Sequence, residues 1–138
     1  MISFFKLIRY RNLLMLVLTM SLTKYALINS FLNTTYLSDF QFIILVLSVI
    51  LIAASGNIIN DIYDIEADKI NKPHNLIINN TISLKNGWLS FYTTGTIGIL
   101  LGTYISTITE HYWYSLIFIS TFGGLYFYSY KPSIYLYT

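Results

Sequence analysis

Four oxygen-bearing side chains lie close together in the nine-residue segment 60–68. In a helix, Asn60, Asp64 and Asp68 fall at positions i, i+4 and i+8 and share one face, with Asp61 beside them, whereas Glu66 projects away. Carboxylates that are placed together repel one another and resist desolvation unless a cation neutralises them. Hard oxygen donors of this kind favour a divalent cation such as Mg²⁺.

The position of these acids indicates what such a cation could bind. They follow the uncharged stretch Phe40 to Ile59, which has about the 20 residues that cross a bilayer. Mg²⁺ is commonly held by one or two carboxylates together with water and the phosphate oxygens of a substrate. The sequence therefore predicts a site where Mg²⁺ joins the carboxylates to a phosphate-bearing ligand at the membrane surface. The alternative is a helix end that simply becomes polar where it leaves the membrane.

The elements that position the acids are predicted to be transmembrane helices. Apolar residues make up 55% of the chain and charged residues 10%, whereas soluble proteins have about a quarter charged residues. Four apolar segments predict spans at about 13–32, 40–59, 88–108 and 112–130, with an Asp-rich loop at 60–87. We therefore expect an all-α, multi-span helical bundle that forms a single membrane domain over residues 1–138.

Composition also excludes several classes of function. The chain has no Cys, so disulfide scaffolds, thiolate metal sites and Cys nucleophiles are excluded. A formal net charge of +2 without a basic cluster excludes a nucleic-acid partner. Small residues in the last two spans predict helix-packing faces. These residues are Gly95, Gly98, Gly102, Gly123 and Gly124.

The distribution of Lys and Arg predicts the orientation in the membrane. Basic residues flank the outer ends of the first and fourth spans and occupy the loop between the second and third, whereas the other two loops contain none. The positive-inside rule then places both chain ends and the Asp-rich loop in the cytoplasm. We expect a multi-pass protein of a bacterial or archaeal cell membrane. The residues that obey the rule are Lys6, Arg9, Arg11, Lys69, Lys72, Lys85 and Lys131.

Three further polar residues or groups have more than one interpretation. Lys24 lies midway along the first span. A cation at this depth must be paired, reach an interface or line a polar cavity. The partner of Lys24 could be an intramembrane acid or an anionic ligand. Arg11 and Asn12 lie near the depth of the acids, and Arg11 could contact the ligand or anchor at lipid phosphates. His74 could be a ligand or general base, or a solvated loop residue.

These residues together resemble the UbiA-type intramembrane prenyltransferase superfamily. The family motif Asn-Asp-x-x-Asp-x-x-x-Asp after the second span is similar to Asn60, Asp61, Asp64 and Asp68. The following segment 71–73 is similar to the family's Asn-Arg/Lys-Pro. Residues 8–14 resemble the start of the family's first span, and residues 128–131 the end of its fourth. Residues 62–69 look nearest to members that prenylate glycerol-phosphate lipids.

The resemblance implies a function and a set of site residues. Members bind a polyprenyl diphosphate through Mg²⁺ held by two Asp-rich motifs and transfer the prenyl group to a hydrophobic acceptor, such as a quinone precursor or a glycerol-phosphate lipid. It implies that Asn60, Asp61, Asp64 and Asp68 hold the metal, the three aspartates being catalytic. The implied substrate-binding residues are Asn60, Lys72, Arg11, Asn12, Tyr128 and Lys131.

Two departures from the family pattern lead to further expectations. First, Asn75 stands where many members have a second Arg. Second, the sequence resembles only the first half of a fold with about nine spans and contains no second Asp-rich motif. We expect a truncated or split chain that is inactive without a complementing second half. The alternatives are a non-catalytic membrane module that packs against another protein, and a small cation transporter that uses Lys24 and the acids.

Overall fold

The computed structural model describes residues 2–32, 37–71 and 76–130, and within these ranges the regular secondary structure is helical, apart from one isolated β-bridge between Ile78 and Ile82. This agrees with the predicted all-α class. The helices are α1 (Ile2–Leu7), α2 (Tyr10–Leu22), a π-helical segment (Thr23–Ile28), α3 (Asn29–Leu32), α4 (Asp39–Tyr63), α5 (Ile65–Asn71), α6 (Leu84–Ile108) and α7 (Tyr114–Tyr130).

The first predicted span is a single helix with a change of winding. It begins at Tyr10 rather than near residue 13, because the chain turns at Arg9, which has a left-handed φ of 53° and separates α1 from α2. From Thr23 the helix continues in π-helical form, and the N–H of Asn29 donates to the carbonyl oxygen of Lys24, five residues earlier. It then returns to α-helical form in α3.

The second span, α4, begins and ends slightly outside its predicted limits. Ser38 starts it with a capping box: its side chain accepts a hydrogen bond from the N–H of Gln41 (3.2 Å), and the Gln41 side chain accepts one from the N–H of Ser38 (2.8 Å). The helix continues to Tyr63, and α5 follows at once. The region 60–87, expected as a loop, therefore contains the last turn of α4 and the whole of α5.

The third and fourth spans correspond to α6 and α7. α6 begins at Leu84, four residues before the predicted limit, because the side chain of the preceding Ser83 caps the helix by accepting a hydrogen bond from the N–H of Asn86 (3.3 Å). α4 packs extensively against α6, and α7 packs against both. Of the helices that the structure describes, residues 10–31 and α4 are long and apolar enough to cross a membrane. α7 is shorter, with 17 residues, and α6 contains many Thr, Ser and Gly residues.

Glycines of α6 allow the close packing that the sequence predicts, but those of α7 do not. A Cβ atom at Gly95 would lie 2.0 Å from Phe122 of α7, one at Gly102 would lie 2.4 Å from Phe118, and one at Gly98 would lie 2.7 Å from Ile52 of α4. By contrast, a Cβ atom at Gly123 or Gly124 would meet no atom of residues 2–32, 37–71 and 76–130 within 4 Å. The prediction of a packing face at these two glycines is therefore wrong within this bundle.

The hydrophobic core is concentrated at the end of the bundle that carries the acids. Its buried side chains come from α1, the end of α4, the start of α5, the 77–82 turn and α6, so that five segments meet there. Apolar side chains along the outer surface of α2, such as Leu14, Met15 and Leu18, are instead at least 60% exposed, as expected for a surface that faces lipid. The core residues are Leu7, Ile58, Ile59, Ile62, Ile65, Ile78 and Phe91.

Candidate functional site

The predicted metal-binding stripe crosses the boundary between α4 and α5, where Asp64 (φ −83°, ψ 1°) departs from helical geometry. Asn60 and Asp61 lie in the last turn of α4, Asp64 ends that helix, and Asp68 lies in α5. The N–H of Asp64 donates to the carbonyl oxygen of Asn60 (2.9 Å), and the N–H of Asp68 donates to that of Asp64 (2.8 Å). The spacing i, i+4, i+8 inferred from the sequence is thus kept in the backbone.

Asp61 forms an ion pair that connects the stripe to the first span. The Nη2 atom of Arg9 lies 2.9 Å from Oδ1 of Asp61, and the Asp61 side chain is 20% exposed. Asp64 and Asp68 lie near enough for their charges to repel that of Asp61. Sequence reasoning used Arg9 for membrane orientation alone and did not assign it to the site. The signal was available, because Arg9 lies within residues 8–14, whose likeness to the start of a first span was noted from the sequence.

A second contact holds the same turn of chain against α4. The Nδ2 atom of Asn57 donates a hydrogen bond to the carbonyl oxygen of Ile8 (2.8 Å). Asn57 precedes Asp61 by one helical turn, so the two side chains contact adjacent residues of the α1–α2 turn. Sequence reasoning also missed Asn57 as a site residue, although it stands one turn before the motif.

A cavity of about 330 Å³ lies beside the stripe, between α2, α4 and α7. It brings together three residues that were predicted to bind substrate, namely Asn12, Asn60 and Tyr128. Ser129, which sequence reasoning did not select, donates a hydrogen bond to Oδ1 of Asn60 (3.4 Å). The cavity lining is therefore part polar and part apolar and includes Asn60 of the motif, whereas Asp61, Asp64 and Asp68 are not among its lining residues. The remaining lining residues are Leu13, Leu16, Ala53, Gly56, Asn57 and Leu125.

The other predicted site residues lie away from this cavity or outside the described residues. Arg11 is exposed and does not line the cavity. Lys72, His74 and Lys131 fall outside the described ranges. Glu66, which was expected to project away from the stripe, forms an exposed ion pair with Lys69 (2.6 Å).

Aromatic rings cover the adjacent surface of α4. The ring of Tyr63 lies edge-on to those of Trp88, Tyr126 and Tyr130, with ring centroids 6.0, 6.3 and 5.8 Å away. Behind them, Phe91 stacks on Phe122 at 5.0 Å. This cluster joins the end of α4 to α6 and α7 through contacts between aromatic rings.

Lys24 is paired at the opposite end of α4 from the acidic stripe. Its ammonium lies 2.7 Å from Oδ1 of Asp39, at the start of α4, and 4.7 Å from the centre of the Phe42 ring. The Lys24 side chain is 8% exposed, whereas that of Asp39 is 76% exposed. The expected pairing with an acid is present, but the acid lies at the exposed end of a helix and not in the motif.

The donor atoms of the stripe suit Mg²⁺ chemically. Asn60, Asp64 and Asp68 offer carboxylate and amide oxygens, which are the ligands of hard cations. Within residues 2–32, 37–71 and 76–130, no three Asp, Glu or His side chains already converge on one point. A cation held by one or two carboxylates, water and phosphate does not require such a group, so the residues fit a metal that binds together with its ligand.

Comparison with known proteins identifies the class. The profile of the UbiA prenyltransferase family matches residues 13–137. The chain therefore belongs to the UbiA prenyltransferase family, whose fold is a helical membrane bundle. The resemblance that was inferred from the motif is confirmed.

Three relatives illustrate the similarity, and all are named digeranylgeranylglyceryl phosphate synthase. The protein of Metallosphaera sedula is 41% identical over 61 residues, which cover 44% of this chain and 22% of the relative. Those of Methanococcus maripaludis strain C6 and Methanobrevibacter smithii are each 33% identical, over 104 and 93 residues, or 74% and 67% of this chain. The chain spans between 22% and 35% of the length of these relatives. No solved structure matches it significantly.

Proposed function

We propose that this chain supplies one side of the site of a membrane prenyltransferase, and that this side binds the diphosphate of a polyprenyl donor together with Mg²⁺. The observation that carries the proposal is the repeat of Asn60, Asp64 and Asp68, joined by i to i−4 backbone hydrogen bonds at the end of an apolar helix, with Asn60 lining the cavity. The diphosphate of the donor would bind through a metal ion held by these oxygens. The hydrocarbon chain of the donor would lie against the apolar wall of the cavity.

The metal would be held by the oxygen atoms of Asn60, Asp64 and Asp68; whether Asp61, which the resemblance also implies as a ligand, takes part is addressed by the ion pair that it forms with Arg9. When bound, it would neutralise the negative charge that develops on the departing pyrophosphate. Lys72 and Lys131 remain predicted contacts of the diphosphate. The membrane orientation that places this site at the cytoplasmic surface also remains a prediction.

The described side chains divide the other tasks between them. Leu13, Leu16 and Leu125 form an apolar wall along which the first part of a prenyl chain could lie. Asn12 and Tyr128 also line the cavity, where they could orient the diphosphate or the acceptor. The aromatic rings around Tyr63 would limit the approach of water, which would otherwise consume an allylic carbocation.

For the acceptor, we favour a glycerol-phosphate lipid over a quinone precursor. The support is the printed name of the relatives, digeranylgeranylglyceryl phosphate synthase, together with the likeness of residues 62–69 to such members. The same name favours a geranylgeranyl donor. Because one Asp-rich motif offers only part of the acidic ligands, we expect binding but little prenyl transfer by the 138-residue polypeptide alone.

The proposal is tested by binding of geranylgeranyl diphosphate to the detergent-solubilised chain, with Mg²⁺ and with EDTA. We expect binding that depends on Mg²⁺ and that Asp64→Asn or Asp68→Asn weakens by about tenfold or more, since each removes a charged metal ligand. Glu66→Gln is the matched control, because it removes a charge from the same segment but from an exposed ion pair with Lys69.

The outcome separates this function from the alternative of a non-catalytic module that packs against another protein. The non-catalytic module would be favoured by either of two results. One is equal binding by the wild type, Asp68→Asn and Glu66→Gln, and the other is an absence of binding in all three. The transporter hypothesis makes a different prediction, namely ion flux in proteoliposomes that is lost in Lys24→Leu.

A further inference from the structure

We infer that Asp61 is a positioning residue rather than a metal ligand: through Arg9 it fixes the start of the first span beside the metal-binding residues of the same motif. This inference deepens the proposed function and rests on it for the role of Asn60, Asp64 and Asp68. It divides the four polar residues of the motif into three that are proposed to bind the metal and one that organises the protein.

The first argument is the geometry of the ion pair. Arg9 Nη2 and Asp61 Oδ1 are 2.9 Å apart, within the range of a charge-assisted hydrogen bond. The pair lies at the edge of the bundle, with the side chains 45% and 20% exposed. A carboxylate engaged by a guanidinium has one oxygen occupied and its charge partly neutralised, so it attracts a divalent cation less than the same carboxylate would without that guanidinium.

The second argument is that the ion pair is one of several contacts between the α1–α2 turn and the rest of the bundle, and is not an isolated surface pair. Asn57, one turn before Asp61, donates to the carbonyl oxygen of Ile8, and Leu7 is fully buried in the core. Three consecutive residues, Leu7, Ile8 and Arg9, are therefore each attached to the bundle by a different kind of contact. A surface ion pair by itself contributes little, but one that completes such a set of contacts selects a single arrangement of the chain.

The third argument is the conformation of Arg9. Its φ of 53° places a non-glycine residue in the left-handed region, which is disfavoured and persists where surrounding contacts determine it. The conformation turns the chain between α1 and α2, and its first consequence is the placement of Asn12, one turn later, in the lining of the cavity. The ion pair with Asp61 and the hydrogen bond from Asn57 are the side-chain contacts that join this turn to α4, and backbone hydrogen bonds such as that from Arg9 to Lys6 hold it internally.

A charge exchange distinguishes the two roles of Asp61. In Arg9→Asp combined with Asp61→Arg, the ion pair can re-form with reversed polarity, and Asp tolerates the left-handed conformation better than Arg does. An arginine at position 61, however, cannot bind Mg²⁺. If Asp61 acts through Arg9, the exchanged protein should recover both the position of α1 and the Mg²⁺ requirement for binding.

The experiment has two readouts. Because the chain lacks Cys, spin labels at Phe5→Cys in α1 and Leu89→Cys in α6, both exposed positions, report the distance between α1 and the bundle. The second readout is the Mg²⁺ concentration required for binding of geranylgeranyl diphosphate. Both are measured in the wild type, Arg9→Gln, Asp61→Asn and the exchanged protein, with Asp68→Asn as the control for loss of a metal ligand.

We expect Arg9→Gln and Asp61→Asn to broaden the distance distribution and to raise the Mg²⁺ requirement by about tenfold, as for the loss of a supporting contact. The exchanged protein should recover both properties, whereas Asp68→Asn should lose binding with an unchanged distance. A sharp distance in Asp61→Asn, or a broad one in the exchanged protein, would overturn the inference. If even the wild type fails to bind the diphosphate, the proposed function fails, and the distances still decide whether Asp61 positions the α1–α2 turn.

Discussion

The hydroxyl of Ser48 in α4 donates a 2.7 Å hydrogen bond to the backbone carbonyl oxygen of Gly98 in α6, and both residues are buried. This contact is possible because Gly98 has no side chain. A Cβ atom there would lie 3.1 Å from the carbonyl oxygen of Ser48 and 3.1 Å from the backbone nitrogen of Ile52. The backbones of α4 and α6 thus approach one another at this point, which fixes the helix that carries the acids.

We predict that Gly98→Ala destabilises the bundle by about 1–3 kcal/mol, because the methyl group would meet backbone atoms that cannot rotate away. Gly123→Ala is the control, since its Cβ atom would enter open space and alanine is the better helix former by about 1 kcal/mol. Thermal unfolding in detergent measures both changes. Equal effects of the two substitutions would contradict the packing described for α6.

The ion pair of Lys24 and Asp39 should respond unequally to removal of its two members. Asp39→Asn leaves the buried ammonium of Lys24 without its counter-charge, whereas Lys24→Met leaves a carboxylate that is already exposed. We therefore expect Asp39→Asn to lower the unfolding temperature more than Lys24→Met does.

The double variant Lys24→Met/Asp39→Asn provides the control for this pair. It should unfold close to the temperature of Lys24→Met alone, because no buried charge remains to be compensated. If the two single variants are equally stable, Lys24 is solvated in the membrane protein and does not depend on Asp39.

The core beneath the acids should matter for binding as well as for stability. Phe91 is fully buried and stacks on Phe122, so Phe91→Ala should cost about 3–5 kcal/mol and weaken Mg²⁺-dependent binding of geranylgeranyl diphosphate. Phe127→Ala, at a position that is 68% exposed, should change neither. Unfolding temperature and binding are measured on the same samples, and equal stability of the two variants would count against this core.

Filling the cavity tests whether it holds the prenyl donor. Ala53 lines the cavity wall, so Ala53→Phe should reduce the affinity for geranylgeranyl diphosphate by occupying its space. Ala26→Phe, at an exposed position of the π-helical segment, is the control and should bind normally. Unchanged affinity in Ala53→Phe, with a wild-type unfolding temperature, would place the prenyl chain elsewhere.

Local features of this protein could be predicted from the sequence because they depend on short-range periodicity. The spacing of Asn60, Asp64 and Asp68 requires only that the chain be helical, and the structure retains that repeat. The four long helices followed from the apolar segments, with ends that moved where Ser38 and Ser83 form caps. The all-α fold class could therefore be predicted from the sequence with few errors.

Contacts between distant segments were harder to predict. The pairing of Arg9 with Asp61 joins residues 52 positions apart and depends on the turn between α1 and α2. The partner of Lys24 depends on how the first two spans pack. Gly123 resembles the packing glycines of α6 in type but faces open space, because residue type does not reveal which side of a helix meets a neighbour. These features require the angles and rotations of whole helices.

The π-helical turn at Thr23–Ile28 divides the first span into two parts, and it sets the direction in which the side chains of one part point relative to those of the other. A π-helical turn holds one more residue than an α-helical turn, so side chains after it are rotated by about 100° relative to an uninterrupted α-helix. Deleting one residue from this turn would make the span a continuous α-helix. The side chains of α3 would then rotate about the helix axis and lose their present neighbours. The cavity-lining half, with Asn12 and Leu13, would keep its orientation, so the two ends of the span can change independently.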